Sequence, residues 1–287
     1  MNIRLLFGGD VMFGRYTMED QTYIEYNLLT PLNDLNSIKR DLFIVNLENP
    51  ICNGEHEKRK KEGDVYLRGR PDSVRALVNG KVDLVSFANN HSGDFSPSGI
   101  KETLEILENN NIGYSGASIY GDRYEPYIDH DKKILFFSVT TIYSGSRGHV
   151  ANVLTLDGRN NYIDIIKMYR VLYPEYVIIN SIHWGKEYKL IPERWQSEFA
   201  KGLIDKGGSD IIMGHGSHVR QRYGIYHGKL IMYGLGNLYF NHSKEEYRLN
   251  SNTHKGSLFQ VDLNGREIAN IKEKSIWITQ NKTSLIA

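Results

Sequence analysis

The stretch from residue 175 to 219, EYVIINSIHWGKEYKLIPERWQSEFAKGLIDKGGSDIIMGHGSHV, decides the fold class. It begins with a short apolar run from Glu175 and ends with a second apolar run from Ser209. Between the two runs, residues 193 to 207 place apolar side chains on one face of a helix. These side chains are Trp195, Phe199, Leu203 and Ile204. A strand, an amphipathic helix and a second strand in succession are typical of an α/β protein.

The same alternation continues along the rest of the chain. Further apolar runs are IRLLFGG from Ile3, DLFIVNLE from Asp41, VDLVSFANN from Val82, KILFFSVT from Lys133 and KLIMYGLGN from Lys229. Residues 98 to 110, SGIKETLEILENN, predict another amphipathic helix with Ile100, Leu104 and Leu107 on one face. Strands that are nearly all apolar and alternate with helices predict a sheet that is buried on both faces. Functional residues are then expected where the carboxyl ends of the strands meet.

The chain reads as a single domain covering residues 1–287, because it contains no Pro/Gly/Ser-rich linker, no repeat of fixed period and no low-complexity tract. The motif-bearing core is expected at about 3–240. A small antiparallel β extension is expected at about 255–279, where SLFQVDL and IKEKSIWI alternate in polarity. The charged run GEHEKRKKEGD at 54 to 64 predicts a solvated loop or lid.

Composition excludes several classes of protein. Among 287 residues, 35 Lys and Arg balance 34 Asp and Glu, so nucleic acid is not an expected partner. The single cysteine, Cys52, excludes an intramolecular disulfide framework and any multi-cysteine zinc or iron–sulfur site. No integral membrane segment and no secretory signal are present, which predicts a cytoplasmic protein unless a signal or anchor has been removed. The sequence leaves the oligomeric state open.

Residues able to bind a metal ion follow several of the predicted strands. They are Asp10, Glu48 with Asn46 and Asn49 nearby, Asn90 with His91, His183, His215 and His218. A mixed set of carboxylate, amide and imidazole groups suits Mn, Fe or Zn. The number of ligands suits a pair of ions about 3.5 to 4 Å apart. Because an ionised carboxylate in an apolar strand is costly unless it is paired or metal-bound, Glu48 strengthens this prediction.

The motifs also resemble those of a known family. In chain order they are GGDVMFGR, NLENPI, SFANNHSGDFSPSGIKETLEIL, GYSGAS, SIHWGKEY, GHGSHVRQ and YGLGNLYF, and they extend from about Ile3 to Phe240. They resemble the bacterial capsule synthesis protein CapA family, also called PgsA, whose members are similar to calcineurin-type metallophosphoesterases. The resemblance implies an α/β layered sandwich of mixed β-sheets flanked by helices. It also implies a link to capsule or poly-γ-glutamate metabolism, and is more specific for the fold than for the reaction.

Carried over to this sequence, the resemblance implies one set of metal ligands. They are Asp10, Glu48, Asn90, His183, His215 and His218. A typical metallophosphoesterase has Asp-x-His in its first motif, and Met12 stands here at the position of that His. One metal subsite is therefore expected to be weaker or absent. The typical acidic residue after the third-motif His is Ser92 here, and Asp94 is expected to support His91 instead.

The chemistry of such a site assigns roles to neighbouring residues. Two divalent ions would polarise a phosphoryl oxygen and activate a water molecule. His91 is the candidate general acid, because an imidazole can give a proton to a leaving oxygen near neutral pH. Arg15 is a candidate for holding a phosphate or carboxylate with two hydrogen bonds. Glu187 and Arg220, which follow His ligands in sequence, are further candidates for substrate contact.

Three functions remain open at this point. The first is a metal-dependent phosphoesterase that acts on an anionic small molecule or polymer. The second is a metal-dependent γ-glutamyl amide hydrolase or transferase, because Arg15, Arg68, Arg70 and Arg220 would bind carboxylates as well as phosphates. The third is a non-enzymatic assembly factor for capsule polymer, which Met12 favours and the lack of a membrane anchor disfavours.

Overall fold

The structure is a computed structural model that describes residues 2–17, 32–53, 65–118, 124–142, 158–240, 250–279 and 283–286. Its strands are β1 (Asn2–Met12), β2 (Arg15–Thr17), β3 (Leu42–Leu47), β4 (Val65–Leu67), β5 (Leu84–Ser86), β6 (Gly113–Ser115), β7 (Tyr127–Asp129), β8 (Ile134–Thr140), β9 (Val177–His183), β10 (Ile211–His215), β11 (Tyr223–Tyr226), β12 (Lys229–Met232), β13 (Asn237–Phe240), β14 (Lys255–Asn264), β15 (Glu267–Ile278) and β16 (Thr283–Leu285). The α-helices are α1 (Val74–Asn79), α2 (Ser96–Asn109), α3 (Gly158–Leu172) and α4 (Arg194–Asp205). Short 3₁₀ helices cover Asn33–Ser37, Pro71–Ser73 and Ser251–His254. The predicted lid at 54 to 64 lies outside the described residues.

The strands form two large sheets and one short ribbon. The first sheet has the order β16-β15-β14-β1-β3-β5-β6, and β13 also pairs with β1. The second has the order β11-β12-β10-β9-β8-β7, and β2 pairs with β4 in the ribbon. Neighbours in the middle of each sheet run parallel, whereas β14, β11 and β7 pair antiparallel to theirs. The parallel strands direct their carboxyl ends to one edge of each sheet.

The two sheets stack face to face, with helices on their outer faces. Because successive side chains of a strand point to opposite faces, Leu5 and Phe7 of β1 face the second sheet, and Leu6 faces the outer layer. On β9, Ile179 likewise faces the first sheet, and Ile178 packs in the cluster of α3 and α4. Each fully buried aliphatic or aromatic side chain contributes about 1.5–3 kcal/mol. The predicted layered α/β sandwich of mixed sheets with flanking helices is confirmed.

The stretch from 175 to 219 folds as the unit β9–α4–β10. Helix α4 begins with a capping box in which Glu193 and Gln196 satisfy each other's backbone N–H groups. Its buried face carries Phe199 and Leu203, as the apolar spacing predicts. Strands β9 and β10 pair in parallel with His183 opposite His215. The two imidazole side chains therefore lie side by side at the ends of adjacent strands.

The C-terminal strands complete the first sheet. Strand β14 pairs along most of its length with β1, and β15 and β16 follow outward. The segment expected as a small extension at about 255–279 thus lies directly beside the strand that carries Asp10. Among the described residues, no helix combines the length and the hydropathy needed to span a membrane.

Candidate metal centre

The carboxyl ends of both sheets meet at one buried cluster. Asp10 lies near the end of β1, opposite Asn46 of β3, and Glu48 follows β3 directly. A hydrogen bond of 2.8 Å from the Glu48 N–H to the Val11 carbonyl fixes the backbone of Glu48 beside β1. His183 and His215 end β9 and β10 in the second sheet. Side chains from distant parts of the sequence therefore converge, as the strand-end pattern predicts.

Glu48 stands at the centre of this cluster. One ligand atom from each of Asp10, Glu48 and His183 lies within 4.8 Å of the others, and all three residues are buried. The Oε1 atom of Glu48 is 3.8 Å from His183 Nε2 and 3.5 Å from His218 Nε2. The carboxylate thus faces one ring nitrogen of each imidazole.

Asp10 contacts the remaining imidazole groups. Its Oδ1 is 2.9 Å from His215 Nδ1, and its Oδ2 is 3.4 Å from His218 Nδ1. The side-chain amide of Asn46 donates to Asp10 Oδ1 at 2.9 Å. His218 therefore lies between the two carboxylates, with Nδ1 towards Asp10 and Nε2 towards Glu48.

Unsatisfied polar atoms show that the cluster fits a cation. Within the cluster, Glu48 Oε1, His183 Nδ1 and both ring nitrogens of His215 are buried and have no hydrogen-bond partner among the described residues. Native proteins rarely leave buried polar groups unpaired, because each such group costs free energy. Carboxylate oxygens and imidazole nitrogens are the donors that Mn, Fe and Zn accept. Residues Asp10, Glu48, His183, His215 and His218 would hold such an ion.

The two carboxyl groups have opposite pKa shifts. Burial raises the pKa of Glu48 well above its usual value, and the negative charge of Asp10 adds to this effect. Burial acts in the same direction on Asp10, but its contacts with His215 and His218 hold the pKa of Asp10 well below its usual range. Asp10 is therefore ionised at neutral pH, and Glu48 gains its charge most easily when a cation lies next to it.

Two imidazoles are shifted in opposite directions as well. Burial lowers the pKa of His183 to about 3, which keeps this imidazole neutral and able to accept a metal. Burial also opposes the charge of His218, but the charges of Glu48 and Asp10 outweigh it and raise the pKa of His218 to about 10. Without a metal, His218 is thus the positive group of the cluster.

His91 and Asp94 form a hydrogen-bonded pair beside the cluster. Asp94 is buried, and its Oδ2 lies 2.7 Å from His91 Nδ1. The same oxygen accepts a hydrogen bond of 2.8 Å from the backbone N–H of Leu67, which fixes the carboxylate in place. The side chain of His91 is 14% exposed, and its charge is among the influences that lower the pKa of His183. His91 therefore lies between the cluster and solvent, with the orientation that its pairing with Asp94 imposes.

Asn90 lies in the same loop, which connects β5 to α2. Asn90 is half-buried, and the neighbouring Asn89 fixes the loop. The Asn89 amide donates to the Leu47 carbonyl at 2.8 Å, and its Oδ1 accepts from the His91 N–H at 3.1 Å. Asn90 is thus carried by a loop that is tied to the end of β3.

Asn237 is a site residue that the sequence reasoning missed. It is buried at the start of β13, opposite Asp10, and its Oδ1 lies 3.0 Å from His218 Nδ1. The string YGLGN contained a usable indication, because an apolar run there ends in Gly and Asn, as other site strands end in polar residues.

The comparisons with known proteins identify the family. Residues 4–242 match the family model described as bacterial capsule synthesis protein PGA_cap. The chain belongs to this family. It is 26% identical to the PGA biosynthesis protein CapA of Bacillus subtilis, over 94% of this chain and 74% of that protein. It is 25% identical to the capsule biosynthesis protein CapA of Bacillus anthracis, over 81% of this chain and 58% of that protein.

A further relative and a solved structure extend the comparison. The chain is 30% identical to a probable polyglutamine synthesis accessory protein of Mycobacterium tuberculosis, over 71% of this chain and 57% of that protein. It thus spans little more than half the length of two of these three relatives. A novel phosphatase from Mycoplasma pneumoniae superposes with a TM-score of 0.57 at 12% identity, covering 96% of this chain and 94% of that one. This likeness shows the fold that the PGA_cap protein shares with a phosphatase.

Met12 departs from the metallophosphoesterase pattern in this PGA_cap protein. Met12 is buried in a small apolar cluster with Leu67 and Phe240. It packs the end of β1 against the ribbon of β2 and β4. The position of the missing imidazole is therefore filled by hydrophobic packing.

The candidate substrate residues of this PGA_cap protein have different surroundings. Glu187 is exposed, and its charge helps to raise the pKa of Glu48, which places it near the site. Arg220 instead donates to Glu273 at 2.6 Å and to Ser275 at 3.0 Å, both on β15, so its charge is paired within the protein. Arg15 lies in β2, and its side chain is outside the described part of the structure.

The other two arginines follow β4. The guanidinium carbon of Arg68 lies 5.5 Å from the centre of the Phe95 ring, in a half-buried position. Arg70 is exposed, with its Nε 3.9 Å from a carboxylate oxygen of Asp72. Because Leu67 precedes Arg68 and bonds to Asp94, Arg68 is the arginine nearer to the His91–Asp94 pair in the chain.

Proposed function

We propose that this PGA_cap protein is a metal-dependent hydrolase that cleaves phosphoesters. The observation that carries the proposal is the buried cluster of Asp10, Glu48 and His183, whose ligand atoms lie within 4.8 Å of one another. A buried carboxylate oxygen without a hydrogen-bond partner is costly, and a divalent cation offsets that cost. The fold shared with a phosphatase agrees with this reaction class.

The cation is proposed to be Mn, Fe or Zn, with up to two ions per chain. Asp10, Glu48, Asn90 and the imidazoles of His183, His215 and His218 are the proposed ligands. A bound divalent ion supplies Lewis acidity at a phosphoryl oxygen and lowers the pKa of water. With Met12 in an apolar cluster, one of two ions would have one protein ligand fewer than in a typical metallophosphoesterase.

His91 is proposed to protonate the leaving oxygen. The bond between Asp94 and Nδ1 directs the other ring nitrogen, Nε2, away from Asp94 and makes it the proton donor when the ring is charged. Asp94 acts as a positioning residue, because it holds the ring without reaching the substrate. The remaining anionic charge of the substrate is proposed to be bound by Arg15, with Glu187 at the margin of the site.

Hydrolysis or transfer at a γ-glutamyl amide is the second candidate. The names of the relatives favour it, since they refer to biosynthesis of PGA and of polyglutamine. A cation that polarises a phosphoryl oxygen also polarises an amide carbonyl. Either reaction gives the protein an anionic substrate, and the polymer is the proposed link to capsule metabolism.

The test measures turnover of p-nitrophenyl phosphate and bis-p-nitrophenyl phosphate by purified protein supplied with Mn²⁺ or Zn²⁺. Removing Glu48 or His183 as a ligand is expected to lower turnover at least 100-fold, as loss of a ligand does in metalloenzymes. Glu48→Gln and His183→Ala are the variants, and chelation should have the same effect. The matched controls are Glu105→Gln and His130→Ala, because both residues are exposed and lie outside the site. Turnover that survives both chelation and Glu48→Gln would contradict the proposal.

Poly-γ-glutamate separates the two candidate reactions. Incubation with metal-loaded protein, followed by gel analysis of polymer length, detects cleavage of the amide. Shortening of the polymer that is lost in Glu48→Gln, without turnover of either phosphoester, would select the second candidate. Metal-bound protein that acts on neither substrate would remove the hydrolase proposal and favour a non-enzymatic role in polymer assembly.

A further inference from the structure

We infer that Asn237 is a positioning residue that fixes the orientation and the hydrogen placement of His218. The side-chain oxygen of Asn237 accepts a hydrogen bond from Nδ1 of His218. This bond keeps Nδ1 protonated and directs Nε2 towards Glu48. The inference rests on the proposed metal site, because Nε2 is then the nitrogen that would bind the ion.

The orientation of the Asn237 amide follows from its contact with Thr253. Its Nδ2 lies 3.2 Å from the carbonyl oxygen of Thr253. A carbonyl oxygen only accepts hydrogen bonds, so the NH₂ group must face Thr253. The side-chain oxygen of Asn237 therefore faces His218, at 3.0 Å from Nδ1.

This orientation decides which nitrogen of His218 carries hydrogen. An amide oxygen accepts and cannot donate, so Nδ1 must be the donor in the contact with Asn237. The second group near Nδ1 is the carboxylate of Asp10 at 3.4 Å, which also accepts. Both neighbours thus require an N–H at Nδ1, and Nε2 is left to face Glu48 Oε1 at 3.5 Å.

The backbone and the packing confine the ring to this position. His218 has a φ of 54°, in the left-handed region that residues other than glycine rarely adopt. Its ring centre lies 4.6 Å from that of Phe240 and 6.1 Å from that of Tyr188. Backbone strain of this kind persists only where the surroundings hold it, and it occurs often at functional sites.

Asn237 is itself fixed relative to the other ligands. Strand β13 pairs in parallel with β1, which places Asn237 opposite Asp10. The Asp10 N–H donates to the Gly236 carbonyl at 3.0 Å, next to Asn237 in the chain. Thr253 lies in the 3₁₀ helix that leads into β14. The series His218, Asn237, Thr253 therefore ties one ligand to the C-terminal strands.

The test measures Zn²⁺ binding to metal-free protein by calorimetry. Asn237→Leu keeps the size of the side chain and removes both polar atoms. Loss of a residue that orients a ligand lowers metal affinity about 10–100-fold, and we expect that loss here. Asn237→Asp restores an oxygen facing Nδ1 and should recover part of the affinity, whereas the exposed control Asn270→Leu should match wild type. Asn237→Ser, whose shorter side chain no longer places an amide oxygen against Nδ1, replaces Asn237→Leu if circular dichroism shows that the latter is unfolded.

A second readout is independent of metal binding. In metal-free protein labelled with ¹⁵N-histidine, His218 should give an Nδ1–H signal close in space to the Asn237 side chain, assigned by its loss in His218→Gln. The inference would be overturned if folded Asn237→Leu bound Zn²⁺ with wild-type affinity. It would also be overturned if, in the zinc-loaded protein, His218 carried hydrogen on Nε2 and none on Nδ1. If wild type binds no metal, the proposed function fails, and the Nδ1–H signal alone decides the orientation of His218.

Discussion

Binding of a metal at pH 7 should release about one proton from this site. Although burial opposes its charge, the carboxylates of Glu48 and Asp10 raise the pKa of His218 to about 10. An imidazole with that pKa is about 99.9% protonated at pH 7, whereas one with the ordinary value of about 6.5 is about 24% protonated. Because a metal binds only the deprotonated nitrogen, His218 gives up close to one proton. Glu48 must be ionised to raise the pKa of His218 in this way, so it adds no further proton.

The other shifted ligands contribute nothing to this release. His183 has a pKa of about 3 and is already neutral at pH 7, and Asp10 is already ionised. With ordinary pKa values, His218 and Glu48 would together release only about 0.2–0.3 protons. The structure therefore predicts a proton release several times larger than the ligand types alone imply.

Calorimetry of Zn²⁺ binding in buffers with different ionisation enthalpies counts the released protons. His218→Gln should reduce the count by about one, whereas His183→Gln should weaken binding and leave the count unchanged. The apparent affinity should also rise about tenfold per pH unit for each proton released. A release below about 0.3 protons in wild type, or a count that His218→Gln does not change, would refute the charge assignment at His218.

Three further outcomes are expected. The stability that protonated His218 contributes is complete below pH 6.5 and is lost as the pH rises towards 10, while burial of ionised Glu48 costs more free energy as the pH rises above 4.5. The melting temperature of the metal-free protein should therefore fall between pH 6.5 and 9. Saturating Zn²⁺ should reduce that fall. Gly9→Ala should destabilise the protein by about 2 kcal/mol or more in urea titrations, because the new methyl group overlaps a backbone carbonyl oxygen, whereas Gly224→Ala, with open space around it, should not. His91→Asn should slow hydrolysis of alkyl phosphoesters much more than that of p-nitrophenyl esters, since a good leaving group needs no proton; equal slowing of both would contradict the general-acid role.

The strands could be predicted from sequence because their apolar runs are nearly continuous. Residues such as Phe7 and Ile179 lie in strands that are covered on both faces, so few polar residues interrupt the run. The division into two sheets could not be predicted in this way. It depends on pairings between distant segments, such as β1 with β13 at Asp10 and Asn237. Local periodicity carries no information about such partners.

Helix α3 was also missed. Its buried residues Tyr162, Ile163 and Ile166 have helical spacing. The β-branched isoleucines within this segment, YIDII, favour strands as readily as helices. The helical spacing of the apolar residues is therefore difficult to recognise in the sequence. Its hydrophobic face became identifiable only through its contact with the outer face of the second sheet.

The positions of the ligands could be predicted better than those of their neighbours. Strand ends converge by geometry, so Asp10, His183 and His215 come together once the strands form. Residues in the following turns depend on individual backbone angles. The left-handed conformation of His218 turns the chain, and Arg220, two residues later, faces β15 instead of the cluster. Proximity in sequence to a ligand therefore did not place Arg220 at the site.

The charges explain how this site keeps its shape before a metal binds. Two buried carboxylates at close range repel each other and are costly to desolvate. His218 lies between them, with Nδ1 3.4 Å from Asp10 and Nε2 3.5 Å from Glu48, and its raised pKa supplies one positive charge. A metal ion held at Nε2 would replace the proton there and would supply positive charge in its place. The ligands would then need little rearrangement, and the same two carboxylates would set both the metal affinity and the proton release.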